Sequence, residues 1–248
     1  MRLDVFVSPR EISPGELQGR VVAVIDVLRA STSIAVALDN GARSVIPVES
    51  AEAAIATSKQ FEGVQVRLAG ERKMRVIPGF DMGNSPTEFT EEAIAGCIVI
   101  TTTTNGTAAL LSLQGATDVV VASYVNYSVV AAMLRAAARS DVDISIVCAG
   151  TEGHFSLEDA ACAGKYVRSI GGGAGSITAN DAARACALID RKYGDNIAKI
   201  FEDSTHGKAL AEAGFGADLV FCAAVDSHPV VPIYQERQIT RVGPARER

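Results

Sequence analysis

Seven short apolar runs, rich in β-branched residues, recur along the chain, and alanine-rich segments separate most of them. The runs cover residues 3–7, 21–26, 44–48, 64–69, 97–102, 118–123 and 143–148. The segments read as helices cover residues 31–40, 51–61, 107–113, 126–140 and 156–170. Strands that alternate with helices predict an α/β fold, layered α/β/α, with a largely parallel or mixed sheet. The runs are apolar throughout rather than alternating, which suits a sheet covered on both faces.

Beyond "GGGAGS" (171–176) the chain reads as mostly helical to about residue 214. A late strand pair is expected near residues 218–222 and 238–242, with a frayed tail after it. The glycine-rich stretch is read as a surface loop, because the segment after it is too small to hold its own core. The expectation is therefore one α/β domain over residues 1–248, with two similar halves as a variant. A shift of 74 residues places Ser33 on Thr107, Gly41 on Gly115, Ala42 on Ala116 and Val45 on Val119. Any two βαβ units share such a pattern. In both copies, however, the polar turn follows the carboxyl end of a strand, where open α/β sheets bind ligands.

Composition narrows the function. Hydrophobic residues make up 48% and charged residues 21% of the 248, enough for a sizeable core and too apolar for disorder. A net charge of -6 argues against a basic nucleic-acid surface, and the absence of tryptophan removes a base-stacking platform. No apolar run reaches the roughly 18 residues of a membrane span, and the start "MRLDVFVSPRE" does not read as a secretory signal. A cytoplasmic location is expected. The five cysteines, Cys97, Cys148, Cys162, Cys186 and Cys222, are odd in number and widely spaced, which argues against a disulfide framework or zinc. The alanine-rich helices are compatible with a homodimer.

Chemistry concentrates at the strand ends. In "TTTTNGT" (101–107) a buried strand runs into a helix whose first N–H groups favour an anion, and Asn105-Gly106 suits a sharp turn. The same threonines could instead extend the strand and cap the helix. "IDVLRAST" (25–32) sets Asp26 beside Arg29, as a cation ligand and an anion fork, or as a surface pair. "AGERKMRVIPGFDMGNSPTEF" (69–89) is read as a long loop carrying Glu71, Arg72, Asp81 and Asn84. In "CAGTEGHFSLEDAACAG" (148–164) Glu152 is the ligand candidate, while Glu158 and Asp159 read as helix-dipole partners. His206 of "STHGKAL" could donate a proton or hold a leaving group, but reads more simply as a helix-end residue, and Asp226 follows another apolar run. Oxygen ligands without cysteines or paired histidines point to Mg²⁺. With arginines alongside, they point to a small anionic substrate and phosphoryl transfer to water.

At these junctions the sequence resembles the 2-phosphosulfolactate phosphatase family of coenzyme M biosynthesis. The segments "VIDVLRAST", "GERKMRVIPGFDMGNSP", "TTTTNGTAAL", "CAGTEGHFSLEDAACAG" and "HGKALAEAGFGADLVFCAAVDSHPVVP" carry the likeness. The resemblance implies Mg²⁺-dependent hydrolysis of 2-phosphosulfolactate to 3-sulfolactate and phosphate. It implies a site lined by Asp26, Arg29, Glu71, Asp81, Asn84, Thr103, Asn105, Gly106, Glu152 and Asp226. Asp26, Glu71 and Asp81 are expected to hold the metal. Arg29, Arg72, Asn84, Thr103, Asn105, Gly106 and Thr107 are expected to bind substrate, and Asp26, Arg29 and Glu152 to act in catalysis. The family loop usually reads Gly-Glu-Arg-Gly-Gly, where this chain has Lys73 and Met74 in place of the last two glycines. "DVLRA" lacks the second aspartate of a haloacid-dehalogenase-type phosphatase, so direct attack by water is the simpler expectation. The alternatives are a phosphatase of another small phosphorylated hydroxy acid and a non-catalytic anion-binding protein.

Overall fold

A computed structural model of the chain describes residues 1–172 and 176–243. The first half runs β1 (Arg2–Phe6), β2 (Val21–Ile25), α1 (Ala30–Asp39), β3 (Ser44–Pro47), α2 (Ala51–Ser58), β4 (Val66–Arg72), β5 (Arg75–Val76), α3 (Glu91–Ile94), β6 (Ile98–Thr102) and α4 (Gly106–Leu111). It continues with β7 (Asp118–Ala122), α5 (Tyr127–Arg139), β8 (Ile144–Cys148), α6 (Leu157–Gly171), β9 (Thr178–Ala179) and α7 (Asp181–Tyr193). Three short helices follow, α8 (Ile197–Asp203), α9 (Thr205–Glu212) and α10 (Gly216–Cys222), and then β10 (Pro232–Gln235) and β11 (Gln238–Arg241).

The strands form one sheet in the order β5-β4-β6-β3-β11-β10-β7-β2-β8-β1-β9. Two parallel groups, β4-β6-β3 and β7-β2-β8-β1-β9, flank the antiparallel hairpin β10–β11. Each of the three central pairings reverses direction, so the two groups run opposite ways. The fold is the expected layered α/β type with a mostly parallel sheet.

Alternation within single strands explains the double-sided core. Along β2, Val21, Ala23 and Ile25 join one cluster with α5, α6, α7 and α8. Val22 and Val24 face the other cluster, built on α1, Leu110 and Ile94. All five β2 residues are buried, as a strand covered on both faces requires. Helix α1 is buried along its whole length.

The two segments matched by the shift of 74 residues make crossings in opposite senses. β2-α1-β3 starts in one parallel group and ends in the other, and β6-α4-β7 makes the return crossing. The two helices meet at their starts. An added Cβ on Gly106 would lie 2.6 Å from Ala30 Cβ and 2.7 Å from Asp26 Oδ2, so only glycine fits that crossing.

Two expectations change. Residues 218–222 form helix α10 rather than a strand. Its buried residues, Asp218 and Cys222, stand four apart on one helical face, and a short apolar run alone does not separate helix from strand. The partner of β11 is instead β10. The loop predicted over residues 69–89 is shorter, because β4 continues to Arg72 and turns tightly into β5. The expected loop at 171–176 and the frayed tail lie largely outside the described residues. No helix of the described residues is long and apolar enough to cross a membrane.

Candidate active site

The turns after β2, β6 and β8 and the tight turn that follows β4 converge on one cavity of about 380 Å³. Its lining includes Asp26 and Arg29 after β2, Glu71 to Met74 at the end of β4, and Thr103 to Asn105 after β6. Thr151 and Glu152 after β8, Asn84, and His206 of α9 complete it. The volume suits a small ligand.

Asp26 ends β2 and starts α1. Its Oδ1 accepts from Ala30 N at 3.2 Å, while its own amide donates to Ser31 Oγ at 2.8 Å. Only 6% of the residue is exposed. Burial pushes its carboxyl up to about 6. The negative charges of Glu71 and Glu158 add to this, and His206 and the Ala30 hydrogen bond oppose it.

Arg29 is buried and paired with Asp218 of α10 through Nη1, and its guanidinium lies 4.2 Å from the centre of the Phe215 ring. Asp218 Oδ1 also accepts from Ser85 Oγ at 2.6 Å. This pairing fixes the arginine while it lines the cavity.

The hydroxyls of Thr102, Thr103 and Thr104 each have a partner. Thr102 Oγ1 accepts from Arg72 Nη2 at 2.9 Å. Thr104 donates to Glu71 Oε1 through both its amide (2.9 Å) and its hydroxyl (2.8 Å). Thr103 and Thr107 cap each other, Thr103 N to Thr107 Oγ1 at 3.0 Å and Thr107 N to Thr103 Oγ1 at 3.2 Å. Asn105 Oδ1 accepts from Glu152 N at 2.9 Å, which ties the β6 and β8 turns together. Gly106 and Thr107 line a small neighbouring cavity rather than the main one.

Glu71 is a clamp. Beyond its Thr104 contacts, Oε2 accepts from Met74 N at 2.9 Å. Glu152 occupies a two-residue turn with Gly153, closed by reciprocal Thr151 and His154 backbone hydrogen bonds, with φ of 54° and 79°. Gly153 lies against the Arg10 guanidinium, which would have to shift to admit a Cβ.

Asp81 and Asp226 fall elsewhere. Asp81 Oδ2 accepts from Leu68 N at 2.7 Å, which turns the carboxylate onto the backbone of β4. Asp226 accepts from Ser128 N at 2.6 Å and from Ser128 Oγ at 2.5 Å, at the start of α5. Neither lines the cavity. The trio Asp26, Glu71 and Asp81 is therefore not assembled. Among the described residues no group of three or more His, Cys, Asp or Glu is arranged to hold a metal.

His206 enters from far along the chain. Ser204 caps α9 through Gly207 N at 2.9 Å, which places His206 in the first turn. His206 Nδ1 lies 3.3 Å from Glu158 Oε1, and Glu158 is buried. Burial alone would push the histidine down. The hydrogen bond and charge of Glu158, with the charge of Asp26, outweigh it and hold the imidazole above its ordinary value. Burial likewise works against the Glu158 carboxylate, but its bonds to His206 and to its own backbone bring it below the usual glutamate value. Asp159 is a buried tie: Oδ1 accepts from Val27 N at 2.9 Å and Oδ2 from Gly150 N at 3.1 Å, joining the ends of β2 and β8. The sequence reading took Glu158 for a helix-dipole partner and Asp218 for the start of a strand, so neither was placed at the site. The signal available for His206 was the glycine after it, because a Cβ at Gly207 would strike the Phe201 carbonyl.

The 2-phosphosulpholactate phosphatase family model matches residues 6–237. A protein of Symbiobacterium thermophilum named "Probable 2-phosphosulfolactate phosphatase" is 41% identical over 90% of this chain and 95% of its own length. Proteins with the same name from Caldanaerobacter subterraneus and Clostridium acetobutylicum are 39% and 34% identical, over 94% and 96% of this chain and 95% and 100% of theirs.

Proposed function

The chain belongs to the 2-phosphosulfolactate phosphatase family, and from that premise we propose that it hydrolyses 2-phosphosulfolactate to 3-sulfolactate and phosphate. The observation that carries this reading is the meeting of acids, arginines and a protonatable histidine in one cavity. Arg29 and Arg72 supply the cations for a doubly charged phosphoryl group, and Thr103, Asn105 and Asn84 supply polar contacts. Arg29 presents its guanidinium already oriented by Asp218, so little ordering remains when substrate arrives.

Mg²⁺ fits the donor set. This ion is commonly held by one or two carboxylates, with waters and substrate oxygens completing the shell. Asp26 and Glu71 meet that count without a third protein acid. The crowding of negative charge that raises Asp26 is what a cation relieves. When bound, Mg²⁺ neutralises the phosphoryl charge.

The chain's own groups handle the protons. Glu152, exposed at the cavity rim, accepts a proton from the attacking water. The water oxygen bonds to phosphorus as the ester P–O bond breaks, and His206, kept protonated by Glu158, donates to the leaving oxygen. The test is phosphate release from 2-phosphosulfolactate with Mg²⁺ and after chelation. Metal-dependent release is expected. Tight binding without release would instead assign an anion-binding role, and faster release from another phosphorylated hydroxy acid would move the substrate.

A further inference from the structure

The turn between β4 and β5 consists of Lys73 and Met74 alone, since Arg72 pairs with Arg75. Both residues have positive φ, 53° and 64°. Two such residues make the mirror-image hairpin turn that glycine, asparagine and aspartate favour, because a Cβ crowds the backbone there. This chain places a long cation and a thioether in those positions, and both line the active-site cavity. Lys73 also lines the adjoining cavity, with Arg75 and Asn84, so it stands between the two. Lys73 is exposed while Asp26 is buried, which puts the lysine at the mouth and the carboxylate at the floor.

The turn is anchored from below. Glu71 Oε2 accepts from Met74 N, and Arg72 bridges the Glu71 carbonyl (2.8 Å) and Thr102 Oγ1 (2.9 Å). Among the described residues, none of the ion pairs engages Lys73.

Strained geometry alone does not mark a functional turn. Glu236 and Arg237 join β10 to β11 with φ of 49° and 65°, and they do not line this cavity. Lys73 differs in its position: an unpaired cation on an anchored turn, at the mouth of a cavity whose interior we assign to phosphate.

Resting on that assignment, we propose that Lys73 determines specificity by binding one of the substrate's two monoanionic groups, the sulfonate or the carboxylate, beside the phosphoryl. Asparagine tolerates left-handed backbone, so Lys73→Asn removes the charge and keeps the turn. Three substrates separate the sources of the anion: 2-phosphosulfolactate, 2-phospholactate without the sulfonate, and the phosphate ester of 2-hydroxyethanesulfonate without the carboxylate. Loss of one solvent-facing charge contact is expected to lower kcat/KM on 2-phosphosulfolactate by about tenfold. The loss should be much smaller on whichever analogue lacks the group that Lys73 holds. The salt dependence of KM should flatten with it.

Glu236→Asn is the control for backbone relief. Both variants are expected to raise Tm by about 2 °C, and only Lys73→Asn should alter the kinetics. An unchanged kcat/KM, or an equal loss on all three esters, overturns the proposal. If the parent protein releases no phosphate, calorimetric binding of 3-sulfolactate decides instead. Weaker binding by Lys73→Asn then supports the role of Lys73 while the phosphatase reading falls. Equal binding by both, or none by the parent, overturns it.

Discussion

Asp26 carries opposing demands. Its carboxyl sits at about 6 in the fold against 3.8 in a free chain, chiefly through burial. The folded state thus favours the protonated acid. Its stabilising contribution is complete below pH 3.8 and is lost as pH rises through about 6, a difference on the order of 3 kcal/mol. Asp26→Asn keeps the acceptor for Ala30 N and removes the charge. In metal-free buffer the variant should melt several degrees above the parent at pH 7.5, and the gain should vanish near pH 4. Phosphate release should be abolished. In the parent, the pH below which kcat/KM falls should move down as Mg²⁺ is raised, because the cation competes with the proton for Asp26. Thermal melts across pH, with and without the substitution, check the sign. Asp26, Arg29 and the threonine run were legible in the sequence because each is polar directly after an apolar strand. The His206–Glu158 pair was not, since the two lie 48 positions apart and meet only because α8 packs on both α6 and α9. Asp81 misled for a related reason. Nothing in its neighbours announces that Leu68 N captures it.

At the scale of elements, α10 serves the site through one residue. Asp218 is 2% exposed and binds both Arg29 and Ser85. Asp218→Ala leaves a buried guanidinium without its partner, a loss of about 3–5 kcal/mol, read as a lower urea midpoint. Substrate KM should rise alongside, because the arginine loses its fixed orientation. Most strands and, apart from the short α3, the α-helices before residue 171 were readable from β-branched runs and alanine-rich stretches. The α10 segment was not: "DLVFC" satisfies a strand pattern as well as a helical one, and contacts with the β2–α1 turn decide. The mirror-image turn at Lys73–Met74 was hidden as well, because neither residue announces a left-handed backbone.

Across the whole molecule, the hairpin β10–β11 holds the two opposed strand groups in one sheet. Ile239 is fully buried and sits opposite Val45 of β3, while Ile233 sits opposite Val120 of β7. Ile239→Ala should cost about 2–5 kcal/mol, measured by denaturant titration, while leaving the residues around Asp26 in place. The β11 half of the hairpin was legible near residues 238–242, but β10 was not: Pro232 and the Glu236-Arg237 turn are poor advertisements for a central strand. The segment that fills the middle of the sheet follows every other strand in chain order. A ribosome therefore delivers both flanks before their spacer. During that interval β3 and β7 show bare edges able to recruit foreign strands, so the need for chaperone shelter peaks late in translation.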